Sequence, residues 1–143
     1  MMTTFENPSR EHIKEILASA GNIAVVGLSD KPDRTSYMVS AAMQSRGYRI
    51  IPVNPNATEI LGEKCYGSLS DIPEPVDIVN VFRRADQVVP VAEEAVKIKA
   101  KVFWLQLDIV NEEAARIASE AGLEVIMDRC IKVEDAILNP RNN

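Results

Sequence analysis

Histidine and cysteine are scarce in this chain of 143 residues. His12 is its only histidine, and its two cysteines, Cys65 and Cys130, lie far apart and form no CxxC motif. Zinc sites are usually built from closely spaced cysteine and histidine ligands, and serine-type catalytic triads need a histidine base. The sequence therefore disfavours a zinc site of this kind and any histidine-dependent triad.

Long apolar runs and an excess of positive charge are also absent. The longest uncharged apolar stretches, residues 23–28 and 102–107, are far shorter than the ~20 residues of a membrane-spanning helix. The first residues have neither the basic nor the apolar region of a signal peptide. Lysine and arginine total 16 against 21 aspartates and glutamates, a net charge of -5, which argues against nucleic-acid binding. We expect a cytoplasmic protein with no membrane and no nucleic-acid partner.

The composition is that of a chain able to bury a hydrophobic core. Hydrophobic residues make up 46% and charged residues 26% of the sequence. A length of 143 residues is close to the usual ~100 to 150 residues of one domain. We expect residues 1–143 to form a single domain, with its folded core at about 10–138.

Short apolar runs alternate with helical patterns along most of the chain. Strands are predicted at about 22–27, 48–53, 76–82, 102–107 and 123–127. Helices are predicted at about 9–20, from Thr35 or Ser36 to Gly47, at about 86–100, from Asn111 to Gly122, and after the last strand. Residues 54–74, rich in proline and glycine, are interpreted as a loop with at most a short helix. This order predicts an α/β, Rossmann-like fold, a doubly wound parallel sheet of about five strands in three αβα layers.

The loop after the first predicted strand, residues 27–36, combines charge with a helix start. In an open parallel sheet, ligands bind beyond the carboxyl ends of the strands, and a helix N-terminus there favours an anion. Two cations and three hydroxyl groups lie in this loop: Ser29, Lys31, Arg34, Thr35 and Ser36. We interpret it as an anion site. The alternative is that Thr35 or Ser36 only caps the helix while Lys31 and Arg34 are solvated.

The same loop lacks the signatures of the common nucleotide sites. A dinucleotide fingerprint would continue with glycines after Gly27, but the second and third glycine positions hold Ser29 and Pro32. The second predicted strand is followed by no acid before Glu59 that could bind the ribose hydroxyls of NAD. A Walker lysine after a glycine is missing too. These absences disfavour NAD and nucleoside triphosphates, and leave another anionic, nucleotide-like ligand.

Several motifs in order along the chain resemble a known family. They are residues 25–37 (VVGLSDKPDRTSY), 47–48 (GY), 52–55 (PVNP), 77–83 (DIVNVFR), 102–106 (VFWLQ) and 128–130 (DRC). Together they resemble the small stand-alone CoA-binding proteins, a family similar to the CoA-binding domain of the succinyl-CoA synthetase alpha subunit. The resemblance covers about residues 10–138 and implies a Rossmann-like domain that binds coenzyme A or an acyl-CoA.

The resemblance also implies which residues bind CoA. The phosphates are assigned to Gly27, Ser29, Lys31, Arg34, Thr35 and Ser36. The nucleotide and the start of the pantetheine arm are assigned to Val53, Asn54, Pro55, Phe82 and Arg83, with Gln106 added from the fourth strand. CoA carries a pyrophosphate and a 3′-phosphate, so a helix N-terminus together with cationic side chains suits it. Asp30 and Asp33 lower the local positive charge, and we therefore expect moderate affinity.

Four residues near predicted strand ends have specific interpretations. Asp108 stands where the family usually has a glycine; it can weaken an anionic ligand, cap the next helix or mark a changed specificity. Gln106 is either a satisfied buried amide or a ligand contact, and Trp104 is expected in the core. Cys130 is either an inert buried thiol or, as a hypothesis from position alone, a partner for the CoA thiol in a mixed disulfide.

The sequence contains no visible pair of nucleophile and base. The related synthetases phosphorylate a histidine in a later domain, whereas His12 lies on the first predicted helix, where we expect it at the surface. We therefore expect a protein that is not an enzyme alone and that senses, stores or presents CoA, or serves a protein partner with a catalytic domain. The alternatives are a nicotinamide-dependent oxidoreductase with an unusual loop and an interaction domain that has lost its ligand.

Overall fold

A computed structural model describes residues 5–140 of the chain. Within them, the helices are α1 (Arg10–Ser19), α2 (Thr35–Ser45), α3 (Val89–Lys97), α4 (Glu112–Glu120) and α5 (Ile131–Leu138). The strands are β1 (Asn22–Val26), β2 (Arg49–Val53), β3 (Glu59–Ile60), β4 (Glu63–Lys64), β5 (Ile78–Val81), β6 (Val102–Leu105) and β7 (Glu124–Ile126). None of the described helices is both long and apolar enough to span a membrane.

The main sheet has five strands in the order β2-β1-β5-β6-β7. Each neighbouring pair is parallel, and the register places Val26 of β1 beside Val53 of β2 and Val81 of β5. Helix α2 joins β1 to β2 on one face of the sheet, whereas α3 and α4 join β5, β6 and β7 on the other face. This is the doubly wound Rossmann-like arrangement that the sequence predicts. The fold prediction is confirmed.

Alternate residues of each strand contribute to two separate hydrophobic clusters. One cluster packs β1 residues such as Ala24 and Val26 with Phe103 and with residues of α3 and α4. The other packs Ile23 and Val25 with Trp104 and with residues of α1, α2 and α5. Since neighbouring side chains of a strand point to opposite faces, the two clusters lie on the two faces of the sheet. The molecule therefore has the three αβα layers expected from its uninterrupted apolar strands.

Local sequence signals explain where most helices begin. Ser9 caps α1 by accepting a hydrogen bond from the backbone N–H of His12 at 3.1 Å, and Asn111 caps α4 by accepting one from Ala114 at 2.9 Å. Pro90 lies in the first turn of α3, which begins only after a short 3-10 helix, Ala85–Gln87. The helix predicted at about 86–100 is thus present but begins later.

The segment from residue 54 to 74 holds a small hairpin that the sequence analysis missed. β3 and β4 pair antiparallel through the two-residue turn Leu61-Gly62, in which both residues have positive φ, 57° and 76°. A two-residue turn of this geometry usually has the sequence Asn-Gly, so a leucine in it gives no turn signal. In addition, strands of two residues are too short to show a periodic pattern. The predicted short helix is present as the 3-10 helix Leu69–Asp71.

Both edges of the main sheet are paired with other parts of the chain. Beside β2, the backbone of Tyr66 donates to the carbonyl of Pro52 and accepts from the N–H of Asn54, each at 2.9 Å. Just after β7, the side-chain amide of Asn7 donates to the carbonyl of Met127 and accepts from its N–H, each at 2.8 Å. The Asn7 side chain thus imitates the hydrogen bonds of a neighbouring strand.

Candidate functional site

The strand order reverses between β1 and β5, which opens a crevice at their carboxyl ends. Gly27 follows β1 there with φ +86°, and a Cβ atom at this position would lie 2.3 Å from the carbonyl oxygen of Phe82. The N–H of Gly27 donates to the carbonyl of Val53 at 3.1 Å, and the N–H of Phe82 donates to that of Val26 at 2.8 Å. Only glycine allows the loop to turn this closely over the ends of three strands.

Hydrogen bonds within the chain fix the shape of the loop at 27–36. The buried hydroxyl of Ser36 accepts from the N–H of Ser29, and the hydroxyl of Ser29 accepts from the N–H of Lys31, both at 3.0 Å. The N–H of Arg34 donates to the carbonyl of Lys31 at 3.0 Å. The predicted anion loop is therefore an ordered turn that leads directly into α2.

The prediction that Thr35 or Ser36 caps α2 is wrong. The cap position is Arg34, whose side chain makes no capping hydrogen bond, while Thr35 and Ser36 are the first two residues of the helix. The hydroxyl of Ser36 is already engaged by Ser29. Since no capping side chain covers the first N–H groups of α2, this helix end is open to an external anion.

The cations near the start of α2 differ in whether another side chain balances their charge. Lys31 and Arg34 are exposed, and neither forms an ion pair within residues 5–140. Arg83 is exposed and donates to the neutral side chain of Gln87 at 3.2 Å. Arg84 forms an exposed ion pair with Asp86 at 3.0 Å. Lys31, Arg34 and Arg83 thus keep their charge available to a ligand, whereas part of the charge of Arg84 is balanced.

The residues assigned at the end of β2 mainly join two loops. The side chain of Asn54 donates to the carbonyl of Leu28 at 2.9 Å and accepts from the N–H of Asn56 at 2.8 Å. Val53 is buried and Pro55 is exposed. Asn54 thus ties the end of β2 to the loop after β1 and helps to fix the position of that loop.

A cleft of about 470 Å³ lies beyond β5 and β6, between the starts of α2 and α5. Its lining residues are Thr35, Phe82, Gln106, Leu107, Asp108, Ile109 and Cys130. Three of them, Thr35, Phe82 and Gln106, were among the predicted site residues. Leu107 and Ile109 were missed, although Leu107 ends a predicted strand and Ile109 lies two residues after it. The other predicted residues lie in the loop at 27–36, at the end of β2 or, for Arg83, just after β5, and they do not line the cleft.

A second cleft, of about 490 Å³, lies along α4 and is chemically less suited to an anion. It is lined by Glu112, Glu113 and Glu120, with Arg116 as the one cation among its lining residues. Like charges would repel a phosphate there. The cleft at the switch point is therefore the better candidate, because uncompensated cations and an open helix end lie beside it.

Gln106 is a buried, hydrogen-bonded amide, one of the two alternatives from the sequence, and its contact with a ligand stays a prediction. It is buried, and its Oε1 accepts from Nδ2 of Asn80 at 3.3 Å and from the N–H of Ile131 at 3.2 Å. It also lines the cleft. Trp104 is fully buried, as predicted, and its Nε1 donates to the carbonyl of Arg129 at 2.9 Å.

Asp108, where the family resemblance leads us to expect a glycine, lies at a position where the backbone is left-handed. Its φ is 70°, and its N–H donates to Oδ1 of Asp128 at 2.7 Å. Aspartate tolerates this conformation better than most residues, although glycine adopts it more readily. Because Asn111 caps α4, the alternative that Asp108 caps this helix is wrong. The other two alternatives are that Asp108 weakens an anionic ligand or marks a changed specificity. Both remain open, because Asp108 lines the cleft.

The cysteines and the histidine lie in different environments. Cys130 is half-buried at the start of α5 and lines the cleft, whereas Cys65 is buried. Burial raises the pKa of the Cys65 thiol. His12 is on α1, at the surface as predicted, where hydrogen bonding to Glu124 raises the pKa of its imidazole, with a smaller contribution from Glu15. His12 does not line the cleft.

Comparisons with known proteins identify close relatives of the chain. A protein-family model described as a CoA binding domain matches residues 21–136. The protein YneT of Bacillus subtilis (strain 168) is 58% identical over 132 residues, which are 92% of this chain and 98% of YneT. The solved structure of a protein from Pyrococcus horikoshii OT3 has a TM-score of 0.89 and 38% identity, covering 96% of this chain and 99% of that chain.

A longer relative contains a similar stretch as one part of its chain. The ADP-forming acetate--CoA ligase of Methanocaldococcus jannaschii is 26% identical over 138 residues, which are 91% of this chain but 20% of the ligase. The chain thus spans about a fifth of the length of this relative. The comparisons give no support to the nicotinamide alternative.

Proposed function

Because the chain belongs to the CoA-binding domain family, we propose that it binds coenzyme A or an acyl-CoA at the carboxyl ends of its parallel strands. The observation that carries the proposal is the open N-terminus of α2, flanked by unpaired Lys31 and Arg34 and adjoining the cleft through Thr35. An anionic group and an elongated, partly apolar arm both find suitable surfaces there. CoA combines these two chemistries in one molecule.

The pyrophosphate is assigned to the loop at 27–36. The first N–H groups of α2 and the side chains of Lys31 and Arg34 offer the donors that phosphate oxygens need. Arg83, across the crevice, is available to a second phosphate group. Asp30 and Asp33 are exposed in the same loop and reduce the attraction, which keeps the expected affinity moderate.

The order of the strands gives the ligand a direction. The nucleotide lies toward β2, the pyrophosphate at β1 and α2, and the pantetheine arm crosses β5 toward β6. Neighbouring strands are about 4.8 Å apart, so the path from β1 to β6 spans roughly 10 Å. In this arrangement Phe82 packs against the arm, and the thiol end reaches Leu107, Asp108 and Cys130.

We propose no reaction for this chain by itself. The cleft is lined by the carboxylate of Asp108 and the thiol of Cys130, but within residues 5–140 no hydrogen bond joins these two side chains into a pair of base and activated nucleophile. A stretch similar to this chain makes up 20% of an ADP-forming acetate--CoA ligase. A protein partner with a catalytic domain is therefore one role for the bound CoA, and sensing, storing or presenting CoA are the others.

Isothermal titration calorimetry with the purified chain tests the proposal. We expect saturable binding of CoA and no binding of NAD or NADP. The Arg34→Ala variant removes one charge-assisted contact to phosphate, so its affinity for CoA falls about tenfold. Arg116→Ala is the matched control, because Arg116 is an exposed arginine of α4 that pairs with Glu120 at 3.1 Å.

The outcomes separate the alternatives. Unchanged affinity in Arg34→Ala, or equal losses in both variants, would contradict the assigned phosphate site. Binding of NAD in place of CoA would support the oxidoreductase alternative. Binding of none of these ligands would support an interaction domain without a ligand.

A further inference from the structure

We infer that the far end of the cleft selects CoA thioesters whose acyl group carries no negative charge. The inference rests on the proposed CoA function and adds a substrate class to it. Its basis is the placement of Asp108 among apolar residues where the acyl group would lie.

Asp108 supplies the only charge among the residues that line the cleft. Its neighbours there, Leu107, Ile109 and Phe82, are apolar, and Cys130 is uncharged in its thiol form. Leu107 is 54% exposed, so much of its apolar surface is accessible to a ligand. The far end of the cleft thus offers an apolar surface next to a carboxylate, which suits a short neutral chain and repels an anion.

The carboxylate of Asp128 adds to the negative electrostatic potential near Asp108. Oδ1 of Asp128 accepts the N–H of Asp108 at 2.7 Å, so the two acids belong to adjoining turns. Neither forms an ion pair within residues 5–140. The nearest cation in sequence, Arg129, donates to the carbonyl of Asp128 at 2.8 Å and does not line the cleft. No cation on the lining of the cleft offsets the two acids.

The charge of Asp108 is not needed for the turn in which it lies. The backbone there is left-handed, with φ 70°, and glycine would adopt this conformation at lower cost. The hydrogen bond to Asp128 comes from the backbone N–H of Asp108, which every residue except proline has. The carboxylate is therefore left for the ligand. At a separation of about 4 Å in a solvated cleft, a second negative charge weakens binding roughly fivefold, and more where water is excluded.

Two thioesters of equal chain length test this inference. Butyryl-CoA and succinyl-CoA both carry a four-carbon acyl group, but only the succinyl group ends in a carboxylate. Calorimetric titration of the full chain should give butyryl-CoA about five- to tenfold higher affinity than succinyl-CoA. In Asp108→Asn, which tolerates the left-handed backbone, the ratio should fall to about twofold or less. Asp108→Gly should give the same result without any side chain.

The control and the opposing outcomes are specific to the acyl end. Glu93→Gln removes an exposed carboxylate of α3 that does not line the cleft, and the ratio should stay at its wild-type value. Equal affinities for the two thioesters in the wild-type protein, or an unchanged ratio in Asp108→Asn, would overturn the inference while CoA binding stands. Failure of the wild-type protein to bind CoA or either thioester would overturn the proposed function itself.

Discussion

The contact between Gly27 and Phe82 predicts a large loss of stability in Gly27→Ala. Two costs add at this position. A residue with a side chain at φ +86° pays for the left-handed conformation, about 1 kcal/mol. The new methyl carbon would also lie 2.3 Å from the carbonyl oxygen of Phe82, so the ends of β1 and β5 must separate. Forced overpacking of this kind costs about 1 to 3 kcal/mol.

Gly62→Ala isolates the first of these costs. Gly62 also has a positive φ, +76°, but no atom lies within 4 Å of a Cβ placed there. We expect Gly62→Ala to lower the free energy of unfolding by about 1 kcal/mol and Gly27→Ala by about 2 to 4 kcal/mol. Urea unfolding followed by circular dichroism measures both, provided that the slope of the transition is unchanged.

The same pair of variants also tests the site. Because Gly27 positions the loop that carries the proposed phosphate contacts, Gly27→Ala should weaken CoA binding at temperatures where the protein is still folded, whereas Gly62→Ala should not. If both variants lost the same small amount of stability, the close approach of Gly27 to Phe82 would be refuted. If Gly27→Ala were folded and bound CoA normally, the loop would not be the binding element.

Two further predictions concern the histidine and the cysteines. As the single histidine, His12 gives one imidazole resonance, and its NMR titration should yield a pKa above the ordinary 6.5 that Glu124→Gln lowers toward that value. Since the folded-state pKa is the higher one, the ion pair stabilises the fold fully below about pH 6.5, and this contribution is lost as the pH rises through the raised pKa. Iodoacetamide should alkylate half-buried Cys130 roughly tenfold faster than buried Cys65, whose thiol pKa is raised, and butyryl-CoA, which has no free thiol to consume the reagent, should slow the reaction at Cys130. Peptide mass spectrometry resolves the two sites, and an unprotected Cys130 in the presence of saturating butyryl-CoA would contradict the assigned path of the pantetheine arm.

The elements with strong local signals were predictable from the sequence. Asn111 caps α4 because a short polar side chain before an amphipathic run is the usual helix start. The apolar runs became parallel strands because their length and flanking glycines favour strands buried on both faces. The order of these elements was enough to predict the sheet and the carboxyl ends of its strands as the place where we propose that CoA binds.

The elements that sequence reasoning missed depend on tertiary contacts. Ser36 has the right residue type for a cap, but its hydroxyl is engaged by Ser29, seven residues earlier in the chain. The turn at Leu61-Gly62 is supported by Gln44 of α2, whose Nε2 donates to the carbonyl of Leu61 at 3.0 Å. No local pattern contains either contact.

The candidate site was predictable only where its residues carry a local sequence signal. Gly27, Lys31 and Arg34 could be singled out from the loop after β1, because a loop with two cations before a helix N-terminus favours an anion. Leu107 and Ile109 have no such mark, since an apolar residue after a strand is equally common in a core. Their exposure to the cleft follows from the left-handed turn at Asp108, which sequence reasoning does not predict for an aspartate.

The paired edges of the main sheet have a consequence for the behaviour of the protein in concentrated solution. An open edge strand is a template on which a second molecule can add its own strand, and aggregation often begins in this way. Here the backbone of Tyr66 occupies part of the β2 edge, and the side chain of Asn7 occupies the N–H and carbonyl of Met127 beyond β7. Growth of the sheet from one molecule to the next is thereby hindered at both ends.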